Sequence, residues 1–284
     1  LPSEPVPTLP GTVVEVVGAS DVQVTSVGPG LAYYRLRNLE IPWAVHLLRM
    51  DLSRCDLGLE VLEAPVPDGA GRGRSPVTEL LSAAGEGIMG GVNGDFFTPE
   101  GLPVGTEVVG GTTRRVRNRP ALAWHPREDP WMGVPRLDRD SVLVLGWELS
   151  RFFSDGGTEV IGGFPLILKD GQVVGDLEVG ERPSFAAERH PRTVVGFDPQ
   201  DDVFWVVVVD GRQPDFSAGM TLPELAGLME ALDAQEALNL DGGGSSVMVV
   251  DGTTVSRPSD AEGERPVANA LGIRRDSAFC RSEY

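Results

Sequence analysis

Residues 237–250 read Ala-Leu-Asn-Leu-Asp-Gly-Gly-Gly-Ser-Ser-Val-Met-Val-Val, and no other run constrains the fold as strongly. Glycine loses the most backbone freedom on folding and packs nothing, so a buried strand does not normally carry three in a row. Here apolar residues flank them on both sides, with Asp241 at one end and Ser245 and Ser246 at the other. A tight turn between two strands would satisfy the pattern. A binding-site floor, where the backbone must approach something closely, satisfies it better, because loops on a rigid scaffold carry function.

The rest of the chain reads as strands and turns. Its 284 residues include 36 Gly and 23 Pro among short apolar runs, which favours many strands over a helical bundle. Residues 12–27 alternate Val with polar residues and predict one or two strands. Strands are also expected over 31–37, 43–48, 57–63, 88–92 and 142–145, and a short helix from Ser75 or Thr78 to Ala84. Residues 160–174 predict a hairpin turning at Asp170-Gly171. A longer hairpin is expected from 193–197 to 203–209, its second strand apolar throughout and so covered on both faces. Thr221-Leu-Pro-Glu224 starts a helix with a capping box, and Leu222, Leu225, Leu228, Met229 and Leu232 share its apolar face. Strand, helix and strand over 203–241 then form a crossover unit. A last hairpin turns at Asp251-Gly252. The expected fold class is α+β: one domain over 12–276 with a mixed β-sheet, several hairpins and a few packed helices. A Pro-rich, extended and poorly ordered lead-in covers 1–11 and a tail covers 277–284.

Charge narrows the partners. A formal net charge of −18 argues against nucleic acid, whose phosphates are bound by clustered Lys and Arg, and against anionic membranes. No apolar run is long enough to span a bilayer, so no membrane insertion is expected. The chain opens without Met, as though a targeting segment had been removed, and a secreted or cell-envelope location is expected. Cys55 and Cys280 could pair or both stay free, and their spacing is not that of a zinc site.

Carboxylates and flexible backbone recur at the ends of buried strands: Asn93-Gly-Asp95, Asp210-Gly-Arg212 and Asn239-Leu-Asp241-Gly-Gly243. Ligand sites open at strand ends in sheets with helical crossovers, so these three ends are expected to converge. With Gly162-Gly-Phe-Pro-Leu166, His190-Pro-Arg-Thr193 and Arg265-Pro-Val-Ala-Asn-Ala-Leu-Gly272 they form an ordered set. From Tyr33 to Ile273 the chain resembles the phosphodiester glycosidase family. The resemblance implies a hydrolase that cleaves between a sugar C1 and a phosphodiester, α-N-acetylglucosamine-1-phosphodiester being one candidate substrate.

Such a reaction passes through an oxocarbenium-like state and usually needs two carboxylates. A phosphate ester leaves easily, its last proton having a pKa of about 6, so neutralising its charge matters more than protonating it. Asp95 and Asp241 are the candidate carboxylates, and His190 the candidate acid or base. Arg192 and Arg212 are candidates for a bidentate phosphate clamp, with Asp210 beside them. Gly242, Gly243, Gly244 and Ser245 could offer amide and hydroxyl donors to phosphate, and Asn93 and Asn269 could bond sugar hydroxyls. Glu107 is a further acidic candidate. Phe96 and Phe97 read as core. Arg114, Arg115, Arg117 and Arg119 read as a solvated loop, with steering of an anionic polymer as the alternative. No cofactor is required by this chemistry. Asp95 and Asp241 are nonetheless hard oxygen ligands that Ca or Mg would accept.

Two other readings remain. One is a glycosidase or trans-glycosylase acting on a cell-surface polysaccharide, and the other a non-catalytic carbohydrate-binding module. A Ser-His-Asp hydrolase fits poorly, because Ser245 does not sit in a Gly-x-Ser-x-Gly turn.

Overall fold

The computed structural model describes residues 5–66, 73–126, 128–137, 143–144, 157–175, 177 and 183–281. An eight-stranded sheet forms the frame. In spatial order its strands are Asp21–Gly28, Leu31–Asn38, Trp43–Asp51, Val203–Val209, Arg192–Asp198, Glu236–Asn239, Leu166–Lys169 and Gln172–Val173. A second sheet orders Thr253–Thr254, Met248–Val250, Ile88–Asn93, Asn269–Arg275 and Leu57–Glu63. A third orders Thr112–Arg115, Glu107–Val109, Glu159–Gly162, Ala121–His125 and Glu128–Gly133.

The α+β class holds, but every strand pair among the described residues is antiparallel, so the sheets are not mixed. The crossover over 203–241 explains the difference. The hairpin of Arg192–Asp198 with Val203–Val209 forms as expected and fills the place beside the second strand. The Leu222–Ala231 helix must therefore carry the chain over that hairpin to the far edge of Arg192–Asp198. The helix starts at the expected capping box: Glu224 N–H donates to Thr221 Oγ1 at 3.1 Å and Thr221 N–H donates to Glu224 Oε2 at 2.9 Å. The turns at Asp170-Gly171 and Asp251-Gly252 form with positive φ at both residues, the conformation two-residue hairpins need.

Alternation along Val203–Val209 sends Val203, Trp205, Val207 and Val209 to one face and Phe204, Val206 and Val208 to the other. The first face packs against the helices Gly11–Val17 and Leu222–Ala231, and the second against the two smaller sheets. In place of the one or two strands expected over 12–27 there is a helix followed by one strand, Asp21–Gly28. Val13 and Val17 lie one helical turn apart on one face, which the alternation of Val with polar residues also allows. The lead-in is not loose where it is described, since Val6 and Leu9 pack on the core and Tyr34 Oη donates to the Pro7 carbonyl at 2.6 Å. Of the expected 142–145 strand, Leu143–Val144 is described and pairs with Arg136–Leu137. The run 67–76, whose Gly, Pro and Ser predict a loop, lies partly outside the described residues.

Cys55 and Cys280 are joined, closing a loop with a sequence separation of 225. Beside the bridge, Phe279 meets the edge of Trp124 with ring centroids 5.4 Å apart. A cross-link over so long a loop removes much of the freedom of the unfolded chain. Replacing both cysteines by serine should lower the unfolding free energy by about 2–5 kcal/mol, read as a lower urea midpoint. An unchanged midpoint would show that the bridge adds nothing.

Candidate active site

The site forms where all three sheets meet. Asp95 follows the Ile88–Asn93 strand of the second sheet, Gly162 ends a strand of the third, and Asp241 follows the Glu236–Asn239 strand of the first. Their loops are tied through the backbone. Asp241 N–H donates to the Gly94 carbonyl at 3.0 Å, and Asn93 Nδ2 donates to the Asp241 carbonyl at 2.7 Å.

Asp95 is buried, and its Oδ2 accepts the Gly105 N–H at 2.6 Å while Oδ1 has no hydrogen-bond partner. Gly105 and Gly162 lie face to face against this carboxyl, and a Cβ on either would press into it. Burial pushes the carboxyl up to about 7; the Gly105 N–H and the Arg119 guanidinium pull against that shift, and Asp241 adds to it. Asp241 is pushed up to about 6, again mainly by burial, with Ser245, the Gly242 N–H, Arg265 and Arg212 pulling it down.

The glycines have a different reason from the expected one. A Cβ on Gly242 would meet the Pro191 carbonyl at 2.9 Å, and one on Gly243 would meet the Arg212 guanidinium at 3.1 Å. One on Gly244 would overlap the ion pair of Arg265 with Asp260. They make room for protein groups. The run turns through a 3-10 helix, Gly243–Ser245, and most of its amides are engaged internally. Gly242 N–H donates to Asp241 Oδ1, Gly243 N–H to the Pro191 carbonyl, and Ser245 and Ser246 N–H to the Gly242 and Gly243 carbonyls. Of the donors expected to meet phosphate, the N–H groups of Gly242, Gly243 and Ser245 are thus engaged within the protein, while the buried Ser245 hydroxyl has no hydrogen-bond partner.

Arg212 and Arg192 separate sharply. Arg212 is exposed beside Gly243, its Nη2 lying 3.5 Å from His190 Nδ1. Arg192 is buried, with Nε on the Met220 carbonyl at 2.8 Å and Nη2 on the carbonyls of Phe185 at 2.6 Å and Glu188 at 3.2 Å. These bonds occupy the fork that a phosphate clamp would need. His190 Nε2 lies 3.3 Å from the Ser184 carbonyl, which assigns the proton to Nε2 and leaves Nδ1 to accept from Arg212. Burial and then Arg192 lower its pKa, so the ring is neutral near pH 7 and suited to orienting Arg212.

Three other candidates for substrate contact have side chains engaged by protein groups. Asn93 Oδ1 accepts from Thr193 Oγ1 at 2.7 Å and Val247 N–H at 3.2 Å. Asn269 Oδ1 accepts the Asp95 N–H at 2.9 Å, and its Nδ2 donates to Glu107 Oε1 at 2.8 Å. Asp210 bonds His46 Nε2 at 2.9 Å and accepts the Arg257 N–H at 2.9 Å. All three are buried, and Glu107 stands behind Asn269.

Arg119, read from the sequence as part of a solvated loop, lies at the candidate site. Arg114 pairs with Glu63, while Arg115 Nη1 bonds the Pro103 carbonyl. Arg119 instead lies over the Phe164 ring at 4.8 Å, its buried Nε without a partner, and it acts on Asp95. Its signal was present in the Gly162-Gly-Phe-Pro-Leu166 motif, whose Phe164 holds it. Phe96 and Phe97 are half-buried, Phe96 packing on Phe185 at 6.1 Å. Among the described residues no group of three His, Cys, Asp or Glu is placed to hold a metal, and no helix is long and apolar enough to cross a membrane.

The family model described as phosphodiester glycosidase matches residues 86–274. The Bos taurus N-acetylglucosamine-1-phosphodiester alpha-N-acetylglucosaminidase is 30% identical over 215 residues, covering 70% of this chain and 38% of that protein. The Homo sapiens protein of the same name is 28% identical over 70% of this chain and 39% of its own length. This chain thus spans about two-fifths of the length of these relatives. In fold it is similar to the catalytic domain of the zebrafish protein of that name, auto-inhibited by its pro-peptide (TM-score 0.61, 21% identity, 89% of this chain and 83% of that one). A match to 86–274 takes in Asp95, Arg119, Arg212 and Asp241, and with it the chain belongs to the phosphodiester glycosidase family.

Proposed function

We propose that this chain hydrolyses the bond between a sugar anomeric carbon and a phosphodiester. The observation that carries this reading is the buried carboxyl of Asp95 and the half-buried carboxyl of Asp241 beside Arg119 and Arg212, two guanidiniums that form no salt bridge among the described residues. Arg119 and Arg212 take the phosphate oxygens, with Gly244 N–H as a further donor, and offset the charge that grows as the C1–O bond breaks. Asp241, the carboxyl that ionises first, supports positive charge at C1 and accepts a proton from the attacking water. Asp95, which holds its proton longer, hydrogen-bonds the departing phosphate oxygen. Water adds its oxygen to C1, and the other product is a phosphomonoester. The names of the bovine and human relatives make α-linked N-acetylglucosamine the first sugar to test. The chain's own residues supply all these roles without a resident metal. The Cys55–Cys280 bridge supports folding in an oxidising compartment, consistent with a secreted or cell-envelope protein.

The test compares an α-N-acetylglucosamine-1-phosphodiester with the matching simple α-glycoside, with and without EDTA. The diester should be cleaved and the glycoside not, EDTA should change nothing, and Asp241→Asn should lower kcat/KM by about 10²–10⁴. Equal cleavage of both substrates would move the assignment to a polysaccharide glycosidase, and an active Asp241→Asn would remove Asp241 from the chemistry.

The two carboxyls also predict pH behaviour. kcat/KM should be bell-shaped, with flanks near 6 and 7 that belong to the pair. Stability follows the same shift. Asp95 is raised from 3.8, so its protonation stabilises the folded chain below that value, and the contribution is lost as pH rises towards about 7. Asp95→Asn, which keeps an acceptor for Gly105 N–H, should therefore raise the Tm more at pH 8 than at pH 4. A pH-independent difference would show that Asp95 ionises as it does in the unfolded chain.

A further inference from the structure

The loop from Asp210 to Gly219 carries Arg212 at one end and Phe216 near the other. Phe216 gathers two cations: the Arg37 guanidinium lies 4.0 Å from its ring centroid and that of Arg257 4.9 Å. The arrangement is built. Arg257 N–H donates to Asp210 Oδ1 at 2.9 Å, and Gln213 Nε2 donates to the Arg257 carbonyl at 3.1 Å. Arg37 lies on the same side of its strand as Tyr33, whose hydroxyl bonds His46 Nδ1 at 2.8 Å, and His46 in turn bonds Asp210. Asp210 is thus a positioning residue for the loop.

Neither guanidinium has a carboxylate partner among the described residues. That is unexpected in a chain with 42 acidic and 24 basic residues. Several arginines outside the candidate site do find one: Arg54 and Arg275 pair with Asp56, Arg189 with Glu224, and Arg265 with Asp260. Two like charges on one ring repel, and cation–π attraction to the shared ring offsets this only in part. A bound anion removes the repulsion and fits guanidinium geometry.

We infer that Arg37, Arg257 and Phe216 form a second anion subsite, which holds the next phosphate of a polymer built from repeating sugar-phosphodiester units. The inference rests on the phosphodiester glycosidase reading and deepens it. One phosphate sits at Arg212 and Arg119 where the bond breaks, and the next reaches the Phe216 end of the same loop. The paired guanidiniums also draw a polyanion towards a chain whose net charge would repel it.

The test uses Arg37→Gln with Arg257→Gln, which removes both charges and leaves the Arg257 backbone bond to Asp210; an unchanged Tm confirms folding. On a substrate with one phosphodiester, kcat/KM should match wild type. On an oligomer with two or more, KM should rise about tenfold with kcat unchanged, and the salt dependence of KM should become shallower. Equal effects on both substrates, or none on either, would overturn the subsite. A second readout needs no turnover: inorganic tripolyphosphate should bind Asp241→Asn about tenfold more tightly than the same chain carrying both Gln substitutions. Equal binding, or no binding by the parent, also overturns it. Discriminating binding in a chain that cleaves no sugar-1-phosphodiester would keep the anion subsite and remove the glycosidase reading alone.

Discussion

The site depends on the side chain of Asn93. Its amide oxygen accepts from Thr193 and Val247 while its nitrogen donates to the Asp241 carbonyl, so one buried group ties together segments from two sheets. Beside it, the Gly94 carbonyl takes the Asp241 N–H. A buried amide that loses such partners leaves several polar groups unsatisfied at once, each costly in a low-dielectric interior. This junction brings Asp95 and Asp241 to one place although 146 positions of sequence separate them.

Burying two carboxyls near each other works against stability, because desolvation and like charge both disfavour ionisation. The surroundings answer with a graded set of donors. Asp241 has Ser245, the Gly242 N–H and two arginines nearby, whereas one oxygen of Asp95 has no partner. That asymmetry raises Asp95 further than Asp241, as their different surroundings require. The glycines belong to the same economy of space. Gly105 and Gly162 let backbone close on Asp95, and Gly242 to Gly244 let Pro191, Arg212 and the Arg265–Asp260 pair close on the loop after Asp241.

The cationic side follows the same principle of engagement. Arg192 and Arg212 stand in similar short motifs and look equivalent as sequence. Arg192 lies inside a strand beneath the Leu222–Ala231 helix, where carbonyls around Met220 and Phe185 absorb its donors. Arg212 lies in a loop after the next strand and keeps its donors outward. Arg119 looks like one more member of a solvated run until Phe164, which is distant in sequence, is seen beneath it.

Local chemistry made part of this legible. The capping box at Thr221, the two Asp-Gly turns and the apolar face of the Leu222–Ala231 helix need only neighbouring residues, and they formed as read. The strand ends bearing Asp95 and Asp241 stand out in the sequence as glycine beside a carboxylate after an apolar run, but Asp170, Asp210 and Asp251 share that pattern and serve turns or internal hydrogen bonds. The helix over Gly11–Val17 was misread because valine spaced for a strand also lines one face of a short helix. Whether two cysteines 225 positions apart meet, which arginine keeps its fork free, and which asparagines are engaged before any ligand arrives were not legible. Sequence by itself determined the local elements and the kinds of side chain at the site. Tertiary structure alone decided which of them remain available, because a hydrogen bond made across three sheets depends on partners that no short stretch of sequence contains.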